Sequence, residues 1–126
     1  MDNTTNALNW FEIPANNIER SAKFYQTIFD IEMEMHEMDD TKMAFFPFSP
    51  GSGKATGCIA QGQNYKPCTD GSKIYLNANP NMDGVLAKVE AAGGQVIVPK
   101  MSIGEHGHIA FIMDTEGNSV GIHSIE

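Results

Sequence analysis

The sequence predicts an α+β fold. Two tandem βαβββ units form one curved mixed sheet around a cleft, with a helix from each unit on the convex side. Three observations carry this expectation. The order strand, helix, three strands occurs twice, at an offset of roughly 63 residues, by pattern rather than by identity. Each of the two helical segments carries one apolar stripe and its own start and stop signals. A single βαβββ unit leaves one face of its sheet bare, so two units side by side are the smallest arrangement that buries it.

The first repeat spans about residues 7–62, within a single domain covering residues 1–126. Residues 7–13 read as a strand with Phe11 and Ile13 on one face, ended by Pro14, which has no N–H to give. Asn16 or Asn17 caps a helix over 18–29, where Ile18, Ala22, Tyr25 and Phe29 recur every three or four residues. Asp30 closes it. Strands follow at 32–36, 42–46 and 56–61, the last two separated by Pro50-Gly51-Ser52-Gly53. The second repeat spans about 72–126. It opens with a strand at 73–78 and a turn at Asn79-Pro80-Asn81. A helix over 82–92 follows, with Val85, Leu86 and Val89 inward, and Gly93-Gly94 supplies its left-handed stop. Strands at 95–98, 108–113 and 119–124 complete the repeat.

Composition narrows the partners. The net charge is −8, from 16 acidic and 8 basic residues, and no Lys/Arg cluster exists to track phosphates. Nucleic acid is therefore not the expected partner. No run approaches the roughly 18 apolar residues of a membrane span. The polar N-terminus lacks the basic and apolar regions of a signal peptide, so a cytoplasmic location is expected. Cys58 and Cys68 are expected to be free thiols, Cys58 buried and inert, Cys68 more exposed.

Strand alternation selects the residues facing the cleft. With Phe11 and Ile13 under the helices, Trp10 and Glu12 face the cleft. With Ile74 and Leu76 packed, Lys73, Tyr75 and Asn77 do. With Val120 and Ile122 packed, Gly121 and His123 do. Glu12 and His123 would make an acid/base pair able to move a proton at a carbon next to a carbonyl, with Tyr75 donating to the substrate oxygen. The plain alternative is a structural hydrogen bond between the two. Trp10 offers a flat surface to a planar ligand. Around it, Lys73, Asn77, Gln61 and His108 are further candidate ligand contacts. Glu105-His106-Gly107-His108 is a candidate lid, and its two histidines read as loop residues more readily than as metal ligands. Met33 and Met35 share a strand face, and with Met38 and Met43 they line either ordinary core or an adaptable pocket or dimer seam, with Phe45, Phe46 and Phe48 at its mouth.

The turn Asp114-Thr115-Glu116-Gly117-Asn118 resembles the D-x-E-G-N signature of the glyoxalase / bleomycin-resistance / extradiol-dioxygenase superfamily, the vicinal oxygen chelate proteins. Asn9-Trp10-Phe11-Glu12-Ile13-Pro14, Phe24-Tyr25, Asp70-Gly71 and Ala91-Ala92-Gly93-Gly94 add to the resemblance, which covers the chain from Ala7 to Glu126. It implies the paired βαβββ fold and a homodimer. It also implies metal ligands at positions that here hold Trp10, a residue near Lys73, and Gly121, with Gln61 in a fourth. The usual metal site is thus dismantled. A displaced set, Glu12 and His123 with water or Gln61, would take a divalent ion such as Zn, Ni, Mn or Fe.

Three functions remain open. One is a lyase or isomerase acting on a small carbonyl-bearing or enolisable compound through Glu12 and His123. Another is a metal-free protein that sequesters an aromatic or drug-like ligand. The third is a metal-dependent lyase or dioxygenase with a displaced site.

Overall fold

In each half of the molecule the first and last strands run parallel to one another, which a tight hairpin cannot achieve and a helical crossover can. A computed structural model describes residues 1–126. The first repeat comprises β1 (Trp10–Pro14), α1 (Ile18–Phe29), β2 (Glu34–Met38), β3 (Thr41–Phe45) and β4 (Thr56–Gln61). The second comprises β5 (Tyr75–Asn77), α2 (Asp83–Val89), β6 (Gln95–Ser102), a 3-10 turn (Gly104–His106), β7 (His108–Met113) and β8 (Ser119–Ser124). Their sheet orders are β1-β4-β3-β2 and β5-β8-β7-β6, the same order twice. The α+β class and the duplication are as the sequence predicts. The sheet is divided into two four-stranded halves, because β1 and β5 are both edges. Pro14 ends β1 without an N–H, and β5 contributes only three residues. The Asn118 side chain bridges instead, donating from Nδ2 to the Pro14 carbonyl at 2.7 Å.

The helices lie on one face of both sheets and share a single core. Ile18, Phe24, Tyr25 and Ile28 of α1 pack with Ile13 and Ile59 of the first sheet and with Leu76, Ile112 and Ile122 of the second. The α1 stripe ends on Ile28, fully buried, rather than on Phe29, which is half-buried. Asn17 caps α1, its side chain accepting from the Arg20 N–H at 3.0 Å, and Asp30 ends it in the left-handed region at φ 53°. The two candidate caps at the start of α1 thus resolve to Asn17. In the second repeat α2 is shorter than expected, although turns continue beyond it: Ala92 N–H donates to Lys88 O and Gly94 N–H to Val89 O. A Cβ at Gly94 would lie 2.5 Å from the Met113 carbonyl, so only glycine lets this corner close. β6 runs past Pro99 to Ser102. It is an edge strand with register shifts on both sides of Val98, and such a strand tolerates proline. No helix is long and apolar enough to cross a membrane.

The Asp114–Asn118 turn joins the halves. Asp114 Oδ1 accepts from the N–H groups of Glu116 and Asn118, both at 2.9 Å. Its Oδ2 accepts from the buried Tyr25 hydroxyl at 2.7 Å and from Asn118 Nδ2 at 2.9 Å. Glu116, its side chain wholly buried, reaches back to the start of α1. Its Oε1 accepts from the Asn16 and Asn17 N–H groups at 2.9 and 2.8 Å, and its Oε2 accepts from Arg20 Nε at 2.7 Å. Gln61 Oε1 takes the next orphan donor, Ile18 N–H, at 2.8 Å. Donors at the start of the helix are thus met by side chains from a distant turn and from the end of β4.

Burial works against ionisation of Glu116, but hydrogen bonds from Arg20, Asn17, Thr115 and Asn16 prevail and hold its pKa below the usual 4.5. A carboxylate depressed in the folded state stabilises the protein fully above its unfolded value and loses that contribution as pH falls through its folded one. Glu116→Gln should therefore lower stability at pH 7 by about 2 kcal/mol and flatten the loss of stability below pH 4.5. Urea unfolding across pH 3–7 reads this, and parallel acid limbs for variant and parent would refute it.

Candidate functional site

The sheet faces turned away from the helices carry the side chains that alternation assigns to the cleft. On the first sheet the register pairs Trp10 with Thr56 and Glu12 with Cys58 across β1 and β4, and Phe45 with Cys58 across β3 and β4. Trp10, Glu12, Cys58 and Phe45 therefore share the open face. Phe45 sits at the centre of an aromatic group. The Trp10 ring meets it edge-on at 5.4 Å, His36 stacks on it at 4.4 Å and 22°, and Phe48 lies at 6.1 Å. Trp10 is 40% exposed, so its indole face is available to a ligand.

Beside these rings, Glu12 Oε1 accepts from the Tyr65 hydroxyl at 2.9 Å, and Cys58 Sγ lies 3.8 Å from Oε2. Burial, reinforced by the neighbouring Glu12 charge, pushes the Cys58 thiol up to about 12. Against β1, a cavity of about 380 Å³ is bordered by Leu8, Trp10, Glu12, Cys68, Ile74 and Asn118. It lies along the seam between the two halves.

On the second sheet Tyr75 pairs with Gly121 and Asn77 with His123. The Tyr75 ring lies over Gly121 and packs against Phe111 at 5.4 Å. A Cβ at Gly121 would fall 2.5 Å from Tyr75 Cδ1 and 2.8 Å from the Ile74 carbonyl oxygen. His123 Nε2 is 2.7 Å from the His106 carbonyl. Since a carbonyl only accepts, Nε2 carries the proton, and the ring pins the 104–107 segment.

Several candidates are placed away from the expected cleft. Gln61 lies on the helix-covered face, where its oxygen caps α1. Lys73 precedes β5 and its ammonium donates to the Thr69 carbonyl of its own loop. By register His108 shares the helix-covered face with Ala110 and Ser124, and its Nδ1 is buried without a partner. Asn77, by contrast, stays on the open face with Tyr75 and His123, its Oδ1 accepting from the Asn79 N–H. Glu12 and His123 belong to different sheets and bond to different partners, so the hydrogen bond between them is not formed. Met33 packs in the core whereas Met35 is 48% exposed, and Phe46 faces the core whereas Phe45 does not. Sequence reasoning missed Tyr65, which sits in a loop, and the stack of His36 on Phe45. The latter was within reach, because both follow from the β2–β3 pairing parity.

The donor set does not suit a metal. The implied positions hold an indole, a lysine committed to its own loop, a glycine under a tyrosine ring and a helix-capping amide. No three His, Cys, Asp or Glu side chains converge elsewhere.

Duplicated βαβββ halves with parallel first and last strands, carrying polar and aromatic side chains on the open face, define a glyoxalase-type protein. The chain belongs to the Glyoxalase/Bleomycin resistance protein/Dioxygenase superfamily, which it matches over residues 7–122. It is 30% identical over 118 residues to a glyoxylase-like domain-containing protein of Didymella fabae, with 88% of each chain covered. It is 27% identical over 117 residues to the Mycobacterium tuberculosis protein named "Putative glyoxylase CFP32", covering 90% of this chain and 44% of that one. The chain thus spans less than half the length of its mycobacterial relatives. Among solved structures, the glyoxylase/bleomycin resistance protein/dioxygenase domain from Frankia sp. EAN1pec superposes with a TM-score of 0.72 at 14% identity, over 96% of this chain and 98% of that one. A glyoxalase I variant from Zea mays superposes with a TM-score of 0.67 at 14% identity, over 92% of this chain and 45% of that one. At these identities the superpositions speak to the fold.

Two outcomes follow from the site's geometry. Gly121→Ala should cost about 1–3 kcal/mol, and less in a Tyr75→Ala background, since one of the two obstructions is then gone. Strictly additive costs in a urea-unfolding cycle of the four proteins would show that the ring does not fill the position. In a thiol titration with a chromogenic disulfide at pH 8, exposed Cys68 should react at once and Cys58 only on unfolding. Two fast thiols would contradict the geometry around Glu12.

Proposed function

We propose that this protein binds a planar aromatic molecule carrying a positive or hydrogen-bond-donating group, and that it does so on the open face of the first sheet without a metal. The observation that carries the reading is the half-exposed group of Trp10, Phe45 and His36 next to the Glu12 carboxylate. Aromatic faces stack on a planar ligand, and a carboxylate beside them selects a cation or donor over an anion. The net charge of −8 favours the same sign of ligand at longer range. The Tyr65 hydroxyl orients Glu12 while leaving its second oxygen within reach only of the weak Cys58 donor, so that oxygen is the ligand's natural acceptor. The Tyr75 ring over Gly121 adds a second aromatic surface, 47% exposed. In this reading the protein is a ligand-sequestering member of its superfamily, and Glu12 is a binding residue rather than a base coupled to His123.

Trp10 is the only tryptophan, so its fluorescence reports the site directly. Titration with 9-aminoacridine, a planar aromatic cation, should give saturable quenching. Glu12→Gln should weaken binding about tenfold, equivalent to about 1.4 kcal/mol, and Phe45→Ala should do at least as much. Unsaturable quenching, or equal affinity in Glu12→Gln, would sink the proposal.

A further inference from the structure

A larger cavity, about 510 Å³, opens on the opposite, helix-covered side where the two repeats meet. Phe11, Ile28 and Phe46 of the first repeat and Leu76 and Val85 of the second line it. Its rim is polar in one specific sense. The side chains of Asn79, Asn81 and Lys88 border it. The two carboxamide oxygens are already committed, Asn79 Oδ1 to the Ile125 N–H and Asn81 Oδ1 to the Asp83 N–H, both at 2.8 Å. What each asparagine has left is its NH₂ donor. Lys88 takes part in none of the protein's ion pairs, while the nearby Asp83 is paired with Lys100 at 3.1 Å. In a chain of net charge −8, an apolar cavity edged by donors and a free ammonium is an exception to the surrounding sign.

Gly84 points the same way. It lies at the cavity's edge within α2, where glycine weakens a helix. Its backbone is not left-handed, and a Cβ built there would meet no atom within 4 Å. Nothing in the protein's own packing calls for glycine at this position. A clear mouth does.

We propose that this cavity is a second small-molecule site, independent of the aromatic face, and that it takes an amphipathic monocarboxylate. The apolar body lies between the repeats and the carboxylate meets Lys88 and the asparagine NH₂ groups.

Octanoate is a suitable probe and 1-octanol its neutral counterpart. In ¹⁵N-labelled full-length protein, octanoate should shift the side-chain NH₂ signals of Asn79 and Asn81 saturably, and 1-octanol should bind at least tenfold more weakly. Lys88→Glu should lose at least tenfold in octanoate affinity. Gly84→Leu should fold at least as well as the parent and exclude the probe. Glu12→Gln should bind octanoate unchanged, which separates this site from the aromatic one. The proposal is overturned by the absence of saturable shifts at millimolar octanoate, by equal affinities for octanoate and 1-octanol, or by shifts confined to Trp10 and Phe45.

Discussion

The start of α1 is held by a carboxylate that lies about a hundred residues away in the chain, and the relation between the two halves depends on it. A helix N-terminus presents several N–H groups that its own backbone cannot pair. In this protein Glu116 answers two of them and the Arg20 guanidinium, Asn17 answers another, and Gln61 a fourth. Asp114, with all its acceptor positions filled, fixes the turn that aims Glu116 and ties it to Tyr25 in the core. Because no strand ladder joins β1 to β5, this polar clasp and the shared apolar core beneath it carry the junction. The acidic turn that carries the family resemblance is, in this chain, a structural joint.

Where the superfamily resemblance implies ligands to a metal, this chain has placed bulk. The Tyr75 ring occupies the space above Gly121, and Trp10 extends a surface that Phe45 and His36 continue. The one carboxylate there, Glu12, is steadied by Tyr65, and its charge in turn suppresses ionisation of Cys58. In the proposed reading, this face recognises the shape and charge of a ligand.

Much of the fold could be read in the sequence wherever the determinants are local. The bounds of α1, β4, β7 and β8 fall where alternation, an Asn cap and an αL-tolerant Asp place them. Where tertiary contacts decide, local reading fails. β5 shrinks to three residues, so Lys73 never enters a strand and folds onto its loop. Gln61 is the last residue of a correctly placed strand. Which of its two faces is the helix face depends on the β4 register with β1, and that register sends it to Ile18. Alternation gives Glu12 and His123 each a face of its own strand, but parity within a strand says nothing about distance between sheets. Tyr65, in a loop without period, carried no signal at all.

The clasp has a bearing on how the molecule comes into being. Its halves repeat one topology and look like copies able to stand alone. Yet the first half, once it leaves the ribosome, lacks the acceptor for the opening turn of its only helix until residue 116 has been synthesised. Its core is also missing Leu76, Ile112 and Ile122 until then. Two halves of one topology thus share a helix cap and a core, and neither is complete without the other.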